Sequence, residues 1–127
     1  KTRVAQVKSL KAGTPVGYGL SEVLGRQSRL AIIPVGYFDG YDRVLSSKGE
    51  VLIAGSRCKV VGRICMNMMI VDVSHVPNCE PGQEVVLIGR SGRHAITADH
   101  LAKLSDTISY EVLARINSEL PRLIVSN

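Results

Sequence analysis

Tyr18 sits in Val16-Gly17-Tyr18-Gly19, Tyr37 and Tyr41 in Gly36-Tyr37-Phe38-Asp39-Gly40-Tyr41, and Tyr110 after Thr107-Ile108-Ser109. A phenol joins apolar area to a polar tip, so each of these can pack in a core or present a ring and hydroxyl to a ligand or partner. Both uses are open on residue type alone. The glycines beside Tyr18 let its backbone approach another surface closely, or serve simply as turn residues. Tyrosine can also move protons. A free phenol titrates near about pH 10, so a base working at neutral pH needs a cation or strong donors beside the phenolate. No histidine or arginine adjoins Tyr18 in sequence. The second unusual stretch is Cys65-Met66-Asn67-Met68-Met69. Its methionines suit irregular core space. Alternatively, the backbone near Met66 turns and offers an amide to an anion.

Other chemistries are missing. There is no phosphate loop, no metalloprotease helix motif and no nucleophile elbow. His75, His94 and His100 do not stand at zinc-site spacings with Cys58, Cys65 and Cys79, so no metal is expected. An odd, irregular cysteine set fits a reducing, cytoplasmic setting rather than a disulfide scaffold. The net charge of +5 is scattered. It reads as a solvated basic surface, and without interleaved aromatic platforms no nucleic-acid partner is expected. No apolar run approaches the roughly 20 residues that span a bilayer, so no membrane partner is expected either. Lys1 in place of an initiator methionine fits a piece of a longer protein.

The chain has 127 residues, 45% of them hydrophobic, enough for one domain with one core. Short β-prone runs separated by turn residues predict a mainly β domain, barrel-like or sandwich, over 1–127. Arg3–Ser9 reads as an opening strand and Lys11–Pro15 as a turn. Leu30–Val35 reads as a strand that Pro34 places at an edge or ends in a bulge. Val51–Ala54 and Lys59–Ile64 read as strands around a Gly55-Ser56 hairpin turn. Met68–Val73 follows, with Val71 and Val73 on one face and Asp72 on the other. Glu84–Ile88 is a further strand, and Gly89–Gly92 its exit. A short helical pair comes late. Thr97 caps the first helix, with Asp99 in its first turn and Leu101 and Leu104 on one face. The second runs from Ile108 to Ile116, capped by Thr107, with Ile108, Val112 and Ile116 in register. After Pro121, Arg122–Val125 reads as a last strand.

The chain resembles the carboxy-terminal domain of the alanine racemase family. The resemblance is carried by Val16-Gly17-Tyr18-Gly19, by Pro34-Val35 through Tyr41, and by Val61-Gly62-Arg63-Ile64-Cys65-Met66-Asn67. It continues through Val71-Asp72-Val73, Gly82-Gln83-Glu84-Val85, Leu87-Ile88-Gly89 and Ile96-Thr97-Ala98 to Thr107-Ile108-Ser109-Tyr110-Glu111. Each motif is short, and their shared order from Arg3 to Val125 is what makes them specific.

The resemblance implies a larger enzyme that interconverts L- and D-alanine, a peptidoglycan precursor. An N-terminal β/α barrel, outside this chain, would hold pyridoxal 5'-phosphate on a lysine. A second subunit would pair head to tail, so that this β domain completes the partner's site for a small amino-acid substrate. By the same resemblance Tyr18 is the second catalytic base, Tyr37 lines the substrate entrance, the Met66 amide meets the substrate carboxylate, and Tyr110 touches the cofactor phosphate. The cation serving Tyr18 is expected from the barrel side. The isolated chain is expected to be inactive. Asn67 stands where the family commonly has aspartate, and Gly17 where it often has serine. Two alternatives remain: a racemase for serine or another small amino acid, and a stand-alone β-domain interaction module.

Overall fold

A computed structural model describes residues 1–126; Asn127, the last residue of the expected domain span, lies outside them. In chain order the strands are β1 (Thr2–Arg3), β2 (Gln6–Leu10), β3 (Pro15–Val16), β4 (Glu22–Val23), β5 (Ser28–Ile33), β6 (Glu50–Ile53), β7 (Ser56–Lys59), β8 (Met69–Asp72), β9 (Glu84–Val86), β10 (Gly89–Ser91) and β11 (His94–Ile96). Two helices follow, α1 (Ala98–Leu104) and α2 (Ser109–Ala114). One antiparallel sheet has the order β1-β9-β6-β7 and a second β2-β5-β8; β3-β4 and β10-β11 form two small ribbons. The architecture is mainly β and sandwich-like, with the helices late.

A single main core joins the sheets. Ala31 and Ile33 of β5, Val51, Leu52 and Ile53 of β6, Val71 of β8 and Val85 of β9 are sealed from solvent. Three consecutive buried residues in β6 require cover on both faces, and they share one core cluster with Ala31, Ile33, Val71 and Leu101. Each such side chain contributes about 1.5–3 kcal/mol by leaving water. A satellite cluster of Val16, Leu24, Leu30 and Val61 sits under the β3-β4 ribbon.

Several expected boundaries move, for physical reasons. Arg3–Ser9 is two strands: Val4 N–H donates to Gln83 O at 2.9 Å while Ala5 N–H donates to Ile32 O at 2.9 Å, so the chain changes sheets between them. β5 lies at the centre of its sheet, not an edge; it stops at Ile33 and leaves Pro34 outside. The β6-β7 turn is Ala54-Gly55, both at positive φ (49° and 75°), and Ser56 already belongs to β7. β9 ends at Val86, and most of the expected exit, Gly89–Ser91, pairs with β11.

Of the expected strand Lys59–Ile64, Lys59 ends β7 and Val60 still bridges Val71 antiparallel, but beyond that the amides find other acceptors. Val61 N–H goes to Ile70 O at 2.9 Å. Gly62 N–H goes to a Glu22 carboxylate oxygen at 2.6 Å, Arg63 N–H to Ser21 Oγ at 2.9 Å and Ile64 N–H to Ser46 Oγ at 3.0 Å. Residues 62–64 are therefore a strap held by side chains.

Thr97 caps α1 by accepting His100 N–H at 3.1 Å, as expected. α2 is shorter than expected and is preceded by Ile108 in extended geometry; the Thr107 hydroxyl donates to Glu111 instead of capping. Ile108 is 61% exposed, so the apolar register of α2 is only half-buried, at Val112 and Ile116. Arg122–Val125 forms no strand: the segment is exposed and pairs with nothing among the described residues.

Candidate functional site

Three loops carry Tyr18, Tyr37 and Met66, and backbone contacts lock them together. The first loop is a turn of 3-10 helix, Tyr18–Leu20, closed by Leu20 N–H to Gly17 O at 3.0 Å. Gly17 has φ 81°, and a Cβ there would lie 3.0 Å from Gly62 Cα and 3.0 Å from Arg63 N. Positive φ and a backbone neighbour at that distance both require glycine. The Tyr18 turn therefore rests directly on the 62–64 strap.

That strap runs into Cys65-Met66, where Cys65 N–H to Met68 O at 2.9 Å closes the second loop. The third loop, Tyr37–Asp39, docks on it edge to edge: Tyr37 N–H donates to Cys65 O at 3.2 Å and Phe38 N–H to Met66 O at 2.9 Å. Gly36 makes the docking possible, because a Cβ there would fall 2.1 Å from Cys65 O. Asp39 rigidifies the turn by accepting Gly36 N–H at 2.9 Å.

α2 is tied to the same assembly. Gly40 leaves no room for a Cβ beside Ile116 Cα, 2.7 Å away. Asn117 donates through its backbone to Asp39 O and through Nδ2 to Phe38 O, each at 3.2 Å. Arg115 pairs with Asp42 and, at 3.1 Å, with Glu111. This fixes the helix whose first turn bears Tyr110.

Against this rigid base the expected site side chains point to solvent. Tyr18 is 66% exposed, Tyr37 46%, Met66 52% and Tyr110 79%. Among the described residues none of the three hydroxyls has a hydrogen-bond partner, and the Met66 amide donates to no acceptor. The fourth tyrosine takes the packing role: Tyr41 is buried, donates to Glu50 O at 3.0 Å, and burial pushes its phenol well above the ordinary range. The methionines divide likewise, Met69 in the core and Met66 and Met68 outside.

A cation does approach the Tyr18 turn from within the chain. The Arg63 guanidinium lies 3.7 Å from where a Gly19 Cβ would stand. Sequence adjacency could not reveal it, nor the parts of Ser21, Glu22 and Asn117, whose partners in other loops lie 25 to 79 residues away.

A cavity of about 440 Å³ lies elsewhere. It lies under the helices, lined mainly by apolar residues such as Val35, Leu45, Leu87 and Val112, and none of the four expected site residues borders it. A recess of about 340 Å³ is bordered by Tyr37, Asp42, Arg43 and Arg115. The loop assembly, with its unpartnered donors, is the better candidate on chemistry. No helix is long and apolar enough to cross a membrane among the described residues.

Comparison with known proteins gives one answer. The family model described as "Alanine racemase, C-terminal domain" matches residues 1–124. The alanine racemase of Methylacidiphilum infernorum is 48% identical over 122 residues, covering 96% of this chain and 32% of that protein. That of Symbiobacterium thermophilum is 49% identical over 122 residues, with the same coverage of 96% and 32%. Among solved structures, the Bacillus anthracis alanine racemase with bound L-Ala-P superposes with a TM-score of 0.91 at 32% identity, over 99% of this chain and 32% of that one. The Bartonella henselae alanine racemase with covalently bound pyridoxal phosphate gives 0.88 at 34% identity, over 97% and 33%. The chain thus spans about a third of the length of the relatives it matches.

Proposed function

Since this chain belongs to the alanine racemase C-terminal domain family, we propose that it serves as the β domain of a pyridoxal-phosphate-dependent racemase acting on alanine, with Tyr18 as one of two bases. The observation that carries the reading is the loop assembly. Tyr18, Tyr37 and Met66 are fixed through their backbones, while the groups that would do chemistry have no hydrogen-bond partner among the described residues and face outward. Such a surface is prepared for a second one, here the barrel of a head-to-tail partner subunit.

The residues fit their proposed duties. The Met66 amide is free to donate to a substrate carboxylate oxygen. Tyr37 borders a recess that also holds the Arg43 and Arg115 cations, suiting an approach path for a small zwitterion. Tyr110 presents a solvent-facing hydroxyl donor, the group a phosphate oxygen accepts. The lysine that holds the cofactor would lie outside this chain. Pyridoxal phosphate, when bound, supplies the electron sink that makes the α-proton removable. Tyr18 would take or return that proton on one face of the α-carbon, and the lysine would act on the other.

The test is Tyr18→Phe in the full-length enzyme. Enantiomers are equal in free energy, so kcat/KM must fall equally in both directions. The asymmetry appears in exchange of the α-hydrogen with solvent. One enantiomer should keep exchanging with retention, while the other and racemisation are suppressed by about 10²–10⁴-fold. Unchanged racemisation would remove the assignment. The chain 1–127 alone should form no reducible cofactor adduct and racemise nothing.

A further inference from the structure

We propose that Ser21 and Glu22 are positioning residues for the Tyr18 phenol, an inference that rests on the reading of Tyr18 as a base. The Tyr18 turn sits at the tip of the β3-β4 ribbon, which has only two residue pairs, Pro15 with Val23 and Val16 with Glu22. A two-stranded ribbon is marginal by itself in water. The satellite core under it anchors Leu24 and, in the pair next to the turn, Val16, but none of the turn residues Tyr18–Leu20 is buried in it.

The tip is fixed by the two residues that immediately follow the turn. Ser21 Oγ accepts Arg63 N–H at 2.9 Å. One oxygen of Glu22 accepts Gly62 N–H at 2.6 Å and the Ser47 hydroxyl at 2.7 Å. Bonds from N–H to an ionised oxygen are short and about twice as strong as neutral ones. Ser47 closes the arrangement by donating its own N–H to Gly62 O at 3.2 Å. The turn, the strap and the 46–47 corner are thus pinned at one carboxylate.

The consequence for Tyr18 is a matter of leverage. Its hydroxyl stands at the far end of a long side chain that is 66% exposed and touches no hydrogen-bond partner among the described residues. Its direction is therefore tied to the turn that carries it. The same strap leads to Met66, so the Ser21 and Glu22 contacts fix the base relative to the proposed carboxylate site. A small rotation of the turn moves the hydroxyl by on the order of 1 Å, a displacement that can cost about 10²-fold in rate.

The experiment compares Glu22→Ala, Glu22→Gln, Ser21→Ala and Tyr18→Phe in the full-length enzyme with cofactor bound. It reads racemisation, KM, melting temperature, cofactor content and α-deuterium loss from each enantiomer. Glu22→Ala should lower kcat by about 10–100-fold with KM changed by less than about threefold. It should slow exchange for the same enantiomer that Tyr18→Phe silences, leaving the opposite exchange within about twofold. Ser21→Ala should show the same pattern more weakly. Glu22→Gln keeps an acceptor for both donors and should recover activity to within about threefold of the parent.

Equal loss of both exchanges in Glu22→Ala, or racemisation within about twofold of the parent, would overturn the positioning role. If Tyr18→Phe itself left both exchanges equal, the base assignment would fail and the inference with it. An asymmetric Tyr18→Phe beside a normal Glu22→Ala would overturn the inference alone.

Discussion

Replacing Gly36 with alanine should separate two loops that the proposed site requires to touch. A Cβ at this position would lie 2.1 Å from Cys65 O and 2.6 Å from both the carbonyl carbon and the oxygen of Met66. All three are backbone atoms, so no rotamer change relieves the overlap. Carbon atoms rest comfortably near about 3.5–4.0 Å, so the loops must part by on the order of 1 Å. The bonds from Tyr37 N–H to Cys65 O, at 3.2 Å, and from Phe38 N–H to Met66 O, at 2.9 Å, would then exceed hydrogen-bonding range.

Two such bonds contribute about 1 kcal/mol each, and forced overpacking costs about 1–3 kcal/mol. Reduced freedom of the unfolded alanine chain offsets about 0.4–1 kcal/mol. The net expectation is about 2–4 kcal/mol of destabilisation. A chain of this length loses about 4 °C of Tm per kcal/mol, so melting followed by circular dichroism should drop by about 8–15 °C. Gly25→Ala is the control, since a Cβ there meets nothing within 4 Å and its φ is not positive. It should be neutral or slightly stabilising. If Gly36→Ala melted like Gly25→Ala, the close approach of the two loops would be refuted.

Three further outcomes are expected. Burial acts to raise the Asp72 carboxyl, but the Ser74 hydroxyl and amide, then Arg26 and His75, outweigh it and hold the group below the ordinary carboxylate range. Its stabilisation is therefore complete above the unfolded value near about pH 3.9 and is lost as pH falls through the lower folded value. Asp72→Asn should cost about 1 kcal/mol at pH 7 in urea unfolding, discounted because Arg26 is largely exposed, with the gap closing below about pH 4; a gap that widened in acid would contradict this. Burial, then the neighbouring Cys79 and Asp72, push the Cys58 thiol up to about 12, and Cys79 is also raised, chiefly by burial. Maleimide should label the half-buried Cys65 alone in the native chain and all three cysteines in denaturant, read by mass spectrometry; native labelling of Cys58 at the Cys65 rate would contradict the packing. Tyr110→Phe should leave the melting of this chain unchanged, since its hydroxyl bonds nothing among the described residues, yet weaken cofactor retention by the full-length enzyme by about tenfold; retention equal to the parent would remove Tyr110 from the phosphate.

What the sequence revealed follows from how far each signal reaches along the chain. The alternation Val71-Asp72-Val73 is local, and both valines are buried with Asp72 half-exposed. The cap at Thr97 is local and forms as expected. The strand at Lys59–Ile64 failed because a run of β-prone residues does not report where its amides find acceptors. Glu22, Ser21 and Ser46 supply them from other parts of the chain. Arg122–Val125 failed for the converse reason: β-prone residues without a neighbouring strand stay unpaired. The tyrosines were ambiguous by type. What separates Tyr41 from the other three is a carbonyl at Glu50 within reach of its hydroxyl, which only the fold supplies. The ordered motifs of one family pointed to Tyr18, Tyr37, Met66 and Tyr110, while the glycines that bring three of their loops together became legible only as distances.

Those distances explain why a domain without a complete catalytic set should be so tightly built where it faces solvent. A flexible loop loses conformational freedom when a partner orders it, and that loss is subtracted from the precision and strength of docking. Here Gly17 against Gly62, Gly36 against Cys65 and Gly40 against Ile116 place backbone on backbone, so the ordering has occurred within the chain before any partner arrives. The exposed side chains make no hydrogen bonds among the described residues that docking would have to break. An interaction module that merely needed apolar area would gain nothing from fixing a phenol and a bare amide at set positions. Proton transfer does, because its rate falls steeply with misplacement of the acceptor. The close backbone packing of the loops under Tyr18, Tyr37 and Met66 is therefore itself an argument for chemistry at this face rather than adhesion alone.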